Sequence, residues 1–143
     1  MQIVEITEFS QALQNALAGF MEQLTGRTVD VKEDFLRELI ESPHSHLFCA
    51  VGDDGMYIGT ITVGIYLSPT GKKAWIEDVV VSEQQRGLGI GKAMVQHAIA
   101  FVRQKGVESL MLTSNSSRIA ANNLYKSLDF EQRATNVYRM ILT

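Results

Sequence analysis

The feature that most constrains this chain is a turn with glycine at three alternate positions, Gly87, Gly89 and Gly91. An apolar segment, residues 79–81, precedes the turn, and a long amphipathic segment begins at Ile90. Glycine lets the backbone turn sharply and approach a ligand closely, and the N-terminus of a helix favours negative charge. A strand, a glycine turn and a helix in this order therefore predict a cradle for phosphate groups.

Two common phosphate-binding loops do not match this segment. The dinucleotide-binding fingerprint requires a glycine where this chain has Lys92. The P-loop requires a glycine where Arg86 stands, and a Ser or Thr where Ala93 stands. The sequence therefore argues against both of these loops.

The rest of the sequence limits the class of protein. With 143 residues, 45% of them apolar and 20% charged, we expect a single folded domain over residues 1–143. A formal net charge of −3 offers no basic field for nucleic acid, and no apolar run approaches the roughly 20 residues of a membrane span. The single cysteine, Cys49, cannot form an intrachain disulfide. We therefore expect a cytoplasmic protein that binds neither nucleic acid nor a membrane.

Hydrophobic periodicity predicts an α/β chain, built on a mixed sheet with helices on both faces. An apolar period of 3.6 residues predicts helices over residues 10–24, 90–106 and 117–128. A further helix is predicted to begin at a capping box formed by Asp30 and Glu33 and to end at Pro43. Runs rich in β-branched and aromatic residues predict strands over 2–6, 46–51, 56–67, 74–82 and 107–113, with two short ones within 130–142.

Three segments together resemble one family. Residues 86–91 meet the pattern Arg-x-x-Gly-x-Gly, which resembles the pyrophosphate loop of the GNAT superfamily of N-acetyltransferases. Residues 75–81 resemble the central strand of that family. Ala121 and Tyr125 fit its segment A-x-x-L-Y-x-x-x-G-F, and the order of elements matches over nearly the whole chain. One departure is Asp129, which stands where the family has glycine; Asp tolerates the left-handed conformation that such a helix end needs.

The resemblance implies a fold, an activity and a cosubstrate. The fold is a GNAT-like central mixed sheet flanked by helices, and the cosubstrate is acetyl-CoA, without a metal. The activity is transfer of acetyl to a primary amine of a small cationic acceptor by direct attack in a ternary complex. By the same resemblance, the expected coenzyme-binding residues are Val79, Val80, Val81, Arg86, Gly87, Leu88, Gly89, Ile90, Gly91, Lys92, Asn115, Asn122 and Tyr125.

Acetyl transfer to an ammonium group requires a base, donors for the oxyanion, and an acid for the leaving thiolate. Tyr125 is the candidate acid, because the tyrosine at this position in the family faces the sulfur of the coenzyme. Glu77 is the candidate base, and Glu77 and Asp78 are the candidate acceptor-binding residues. Strand alternation sends these two carboxylates to opposite faces. We expect the backbone N–H groups of residues 79–81 to serve the oxyanion.

Several alternatives stay open. Tyr125 could be a structural tyrosine, Glu77 an exposed strand carboxylate, and the base Asp78 or a chain of water molecules. Arg118 could meet an anion or lie solvated at the surface. The acceptor could instead be a protein N-terminus or lysine, or the chain could be a coenzyme sensor without turnover. A homodimer is a further open possibility.

The remaining expectations concern metal and acceptor. His44, His46 and Cys49 form a cluster of three potential ligands without a fourth nearby, so we expect loop histidines and a core cysteine rather than a zinc site. The acceptor site is expected at the first two helices and the loops around residues 25–28, 68–73 and 135–138.

Overall fold

The computed structural model describes all 143 residues, which form five strands and four α-helices. The chain divides into two compact units, Met1–Thr113 and Ser114–Thr143. The first unit contains the whole sheet. The elements are β1 (Gln2–Glu5), α1 (Gln11–Thr25), α2 (Glu33–Glu41), β2 (Ser45–Val51), β3 (Tyr57–Ser68), β4 (Gly71–Val81), α3 (Ile90–Gln104), β5 (Ser109–Met111) and α4 (Ile119–Ser127), with a short 3₁₀ turn at Glu83–Gln85.

The sheet is mixed, as the sequence predicts. Its strands lie in the order β1-β2-β3-β4-β5, and every neighbouring pair is antiparallel except β4 and β5, which are parallel. A parallel pair needs a long crossover between its strands, and α3 provides it.

Helices cover both faces of the sheet, which confirms the predicted layers. Leu47 and Cys49 of β2 belong to a core cluster with residues of α1 and α2. Phe48, which lies between them, packs its ring edge-on against His97 and Phe101 of α3, with centroids 5.0 Å apart in both pairs. Since successive strand residues point to opposite faces, α1 and α2 lie on one side and α3 on the other.

The start of α2 differs from the prediction. The helix begins at Glu33 after Lys32, and no side chain caps it, so the capping box of Asp30 and Glu33 is wrong. Glu33 instead forms an ion pair one turn ahead with Arg37, at 3.0 Å. Glu33 and Asp34 also place negative charge in the first turn, where the helix dipole favours it.

The end of the chain also differs from the prediction. Residues 130–143 form neither strand nor helix, so the two short strands predicted within 130–142 are wrong. A strand needs a neighbour to pair its backbone N–H and C=O groups, and the unit 114–143 contains no other strand. No helix of the structure is both long and apolar enough to cross a membrane.

Candidate active site

A β-bulge interrupts β4 at the acidic pair. Thr62 of β3 pairs with Glu77 and Thr60 pairs with Val80, so one residue of β3 faces two of β4. Asp78 takes a left-handed conformation there, with φ of 52°. The regular alternation that the sequence suggests for Glu77 and Asp78 therefore stops at the bulge, and both side chains are exposed.

The surroundings of Glu77 disfavour its charged form. Partial burial raises the pKa of Glu77, and the negative charge of Asp78 raises it further. A carboxylate with a raised pKa holds a proton more strongly than an ordinary glutamate, which suits a group that accepts a proton from an ammonium. The candidate base thus has the electrostatic environment that the role needs.

Beyond the bulge, β4 has no paired strand on the edge where it pairs with β5. β5 pairs only with residues 73–75 of β4, so residues 77–81 have no hydrogen-bonded strand on that edge. Val80 remains anchored in the core, and the carbonyl oxygen of Val81 accepts a hydrogen bond of 2.7 Å from Gln23 Nε2 of α1. The rest of this edge, apart from the Val81 carbonyl oxygen that Gln23 occupies, can therefore pair with an extended ligand.

The segment 86–92, termed here the glycine cradle, has an open backbone. Gly87 and Gly89 take φ of 81° and 79°, and an added Cβ would meet no atom within 4 Å at either position. Glycine is required there by the left-handed backbone rather than by crowding. Gly89 is the N-cap of α3 and no side chain caps the helix, so the first N–H groups of α3 are available to an anion.

The charges of the glycine cradle fit a diphosphate. Arg86 and Lys92 are exposed, and neither takes part in an ion pair. Two free cations beside open N–H groups at a helix N-terminus suit the pyrophosphate of a coenzyme. Of the other predicted cradle residues, Leu88 is exposed and Ile90 is buried.

In the second unit, the structure brings Asn115 and Asn122 together. Asn122 Nδ2 donates to the carbonyl oxygens of Asn115 and Arg118, at 2.9 Å and 2.8 Å. Asn115 Oδ1 accepts from the backbone N–H and the hydroxyl of Ser117, at 2.9 Å and 2.8 Å. These side chains hold the segment that leads into α4.

Tyr125 is the buried residue of α4. Its ring lies edge-on to that of Phe130, with centroids 5.9 Å apart. Burial raises the pKa of Tyr125, while the positive charge of Arg118 lowers it. A phenol with a raised pKa stays protonated near neutral pH, as a proton donor must. The helix ends at the expected place, where Asp129 takes the left-handed conformation with φ of 69°.

A pocket beside Glu77 was not predicted from the sequence. Its volume is about 440 Å³, and Trp75 Nε1 donates a hydrogen bond of 3.2 Å to Tyr66 Oη at its wall. A signal was present, because Tyr66 and Trp75 flank the turn of the β3–β4 hairpin, and aromatic residues at such a spacing can meet across two strands. The lining residues are His44, Gly64, Ile65, Tyr66, Trp75 and Glu77.

The other histidine and the cysteine have structural environments. His46 Nδ1 lies 3.1 Å from Glu5 Oε1, and its ring packs against Phe101. Cys49 is buried in the core, as predicted; burial raises the pKa of its thiol to about 11, and the thiol donates to Thr60 Oγ1 at 3.8 Å. The structure contains no group of three or more His, Cys, Asp and Glu side chains placed to hold a metal ion.

Residues 11–130, which are most of the chain, match the model of the acetyltransferase (GNAT) family. The chain belongs to the GNAT family. Members of this family generally use acetyl-CoA.

This GNAT chain is similar in sequence to several acetyltransferases. It is 33% identical over 90 residues to streptothricin acetyltransferase of Streptomyces lavendulae, and this alignment covers 63% of this chain and 47% of that protein. It is 31% identical over 110 residues to thialysine N-epsilon-acetyltransferase of Mus musculus, covering 70% of this chain and 65% of that protein. The chain thus spans about half the length of the streptothricin enzyme.

Solved structures share the fold. An aminoglycoside acetyltransferase from an uncultured soil metagenomic sample, in complex with trehalose, superimposes with a TM-score of 0.84 at 18% identity. The match covers 99% of this chain and 96% of that one. An acetyltransferase of Trypanosoma brucei superimposes with a TM-score of 0.77 at 18% identity, covering 98% and 99% of the two chains. At this level of identity the likeness concerns the GNAT fold alone.

Proposed function

We propose that this protein is an acetyl-CoA-dependent N-acetyltransferase that acts on the primary amine of a small cationic acceptor. The observation that carries the proposal is the arrangement along β4 and α3: a bulged strand with Glu77 and Asp78, a free backbone edge, and then an open glycine cradle. We propose that residues 1–143 act as one acetyltransferase domain. We also propose a cytoplasmic location, which suits a buried, unpaired thiol at Cys49.

The glycine cradle would hold the pyrophosphate of the coenzyme. The first N–H groups of α3 donate to phosphate oxygens, and Arg86 and Lys92 balance their charge. The free edge of residues 79–81 pairs with the amide groups of the pantetheine arm, and Asn115 and Asn122 contribute further contacts. When bound, the coenzyme supplies an activated acetyl thioester.

The reaction then needs three proton transfers and one carbonyl site. A carboxylate oxygen of Glu77 accepts a proton from the ammonium, and the neutral amine attacks the carbonyl carbon in the ternary complex. Backbone N–H groups of residues 79–81 donate to the carbonyl oxygen. As the C–N bond forms and the C–S bond breaks, Tyr125 Oη donates a proton to the sulfur. The nitrogen, which carries an extra proton after the attack, then returns a proton to the tyrosinate. The products are the acetylated amine and the free thiol.

Release of the coenzyme thiol, measured with a panel of amines, aminoglycosides, amino acids and peptides, tests the activity. We expect turnover with a small primary amine. Tyr125→Phe removes the proton donor but almost no volume, so it should lower kcat by roughly one to three orders of magnitude and leave the Kd of acetyl-CoA unchanged.

A matched control is Tyr57→Phe, because Tyr57 of β3 is a partly buried tyrosine that packs against the core cluster of α1 and α2. This variant should keep the full kcat. Full turnover by Tyr125→Phe with a good acceptor would refute the acid role. Tight binding of acetyl-CoA without thiol release from any member of the panel would favour a coenzyme sensor.

A further inference from the structure

The pocket beside Glu77 has the size of a small-ligand site and lies on one hairpin. Five of its six lining residues belong to β3 and β4, and the sixth, His44, precedes β2. Its volume of about 440 Å³ is within the range of small-molecule sites. The backbone N–H of Ile65 donates to the carbonyl oxygen of His44 at 2.9 Å, which ties the sixth residue to the hairpin.

The wall of the pocket is mainly hydrocarbon. Trp75 Nε1, the only hydrogen-bond donor of the indole, is already bonded to Tyr66 Oη at 3.2 Å. Besides the Tyr66 hydroxyl, which keeps its own O–H, the remaining surface of the two linked rings offers apolar and π contacts. Tyr66 is exposed and Trp75 is half-buried. Accessible aromatic rings bind apolar groups and also attract cations. Gly64 and Ile65 add no charge to this wall.

The charge of the pocket matches one cation. Glu77 is the single carboxylate among the lining residues, and His44 and Tyr66 are the other titratable side chains. Asp78 follows Glu77 in the chain and strengthens its hold on a proton, but it does not line the pocket. A polyamine or an aminoglycoside carries several ammonium groups, which need several anionic partners. A single ammonium on an apolar body leaves no charge unpaired.

We propose that the acceptor is a primary monoamine carried on an aryl or alkyl body, with its ammonium at Glu77 and its apolar body against Trp75 and Tyr66. This inference rests on the proposed function and narrows its substrate class. It also differs from the aminoglycoside named for the metagenomic neighbour.

Tryptophan fluorescence provides a direct test. Trp75 is the only tryptophan of the chain, so its emission reports occupation of the pocket whether or not acetyl transfer follows. We expect 2-phenylethylamine to change this emission saturably, and 2-phenylethanol, which lacks the ammonium, to bind at least about tenfold more weakly. In the thiol-release assay, kcat/KM for 2-phenylethylamine should exceed that for spermidine and kanamycin at least about tenfold.

Two neighbouring residues of β3 give a matched pair of variants. Tyr66→Leu removes the ring and the partner of Trp75, so KM for 2-phenylethylamine should rise about tenfold with little change in the Kd of acetyl-CoA. Leu67→Ala removes apolar surface from the next residue, which is exposed and does not line the pocket, and should leave KM unchanged.

The outcomes separate the pocket from the reaction. A saturable change in Trp75 emission with 2-phenylethylamine, without thiol release from any amine, would support the pocket and refute the acetyl transfer. Acetylation of 2-phenylethylamine without a change in Trp75 emission would overturn the pocket. So would a kcat/KM for spermidine or kanamycin that equals or exceeds that for 2-phenylethylamine.

Discussion

At the scale of single residues, the backbone of β4 takes an unusual step at Asp78, where φ is 52°. A non-glycine residue in this conformation costs on the order of 1 kcal/mol, and Asp is among the residues that tolerate it best. The step places an exposed carboxylate directly after Glu77, and the repulsion between the two contributes to the raised pKa of Glu77. Such local strain persists where the surrounding sheet fixes the backbone, as the pairs on both sides of the bulge do here.

We predict opposite effects of Glu77→Gln on activity and on stability. Loss of the base should lower kcat/KM by roughly 10²-fold or more and remove the acidic limb of its pH profile. Because the folded-state pKa of Glu77 is raised, the ionised carboxylate costs the folded state free energy above that pKa. The variant should therefore have a higher free energy of unfolding at pH 7 to 8. Urea titrations at a series of pH values measure both free energies of unfolding. The difference between variant and wild type should vanish as the pH falls below the ordinary pKa of an unfolded glutamate.

Asp78→Asn is the matched control for that variant. Asn also tolerates the left-handed conformation, so the bulge should be kept. Removal of the neighbouring charge should lower the pKa of Glu77, shift the acidic limb to lower pH without removing it, and raise KM for a cationic amine. A Glu77→Gln enzyme with the wild-type kcat and an unaltered acidic limb would rule out Glu77 as the base.

The two left-handed aspartates differ in how far the sequence predicts them. Asp129 follows a recognisable helix end at a position where the GNAT pattern has glycine, so its conformation could be predicted. Asp78 lies within an apolar strand with no glycine or turn residue nearby. Its conformation depends on the register between β3 and β4, which is a tertiary property that no local pattern shows.

At the scale of elements, β4 and α3 meet at the glycine cradle, where the helix begins without a side-chain cap. A cap would occupy the N–H groups that an anion needs, so the uncapped start has a cost in helix stability and a use in binding. The helix itself is predictable from its apolar spacing, and so is the strand. The missing pairing between residues 77–81 and β5 is not, because it depends on where β5 ends.

We predict that Gly91→Glu separates coenzyme binding from folding. A carboxylate in the first turn of α3 favours the helix through its dipole but repels a pyrophosphate bound there. Without ligand the variant should melt at or above the wild-type Tm. Saturating acetyl-CoA should raise the Tm of the wild type, with ATP doing much less, and should no longer raise that of the variant.

Gln96→Glu makes the same change of charge on an exposed face of α3, beyond its first turn. This control should keep the stabilisation by acetyl-CoA. An undiminished shift in Gly91→Glu would place the pyrophosphate elsewhere, and an equal shift with ATP would reduce the cradle to a general anion site.

The pocket beside Glu77 also depends on pairing between elements. The sequence places the acceptor at loops, one of them around residues 68–73, but only residues 69 and 70 lie between the two pocket-forming strands. Tyr66 and Trp75 nevertheless lie within those strands, and only the hairpin register brings their side chains into contact.

At the scale of the whole molecule, the last fourteen residues carry apolar side chains that stay in solvent. Val137, Tyr138, Met140, Ile141 and Leu142 are each between 70% and 88% exposed. The same apolar, β-branched pattern is the reason the sequence predicts strands in this segment. The structure has no strand at these residues. A run of this kind is costly to leave in water, and surfaces of this kind mark contacts with another chain.

We predict that the protein is a homodimer and that this segment contributes to the contact. Light scattering should give twice the 15.9 kDa chain mass, and dilution over about a hundredfold should shift the mass downward, because association follows mass action. Ile141→Glu places a charge in the segment and should favour the monomer. Phe35→Glu is the matched control, because Phe35 on α2 is 65% exposed and Ile141 is 70% exposed. If exposed apolar surface of any kind drove association, both variants would lose mass equally, and a wild type that stays at 15.9 kDa at every concentration would refute the dimer.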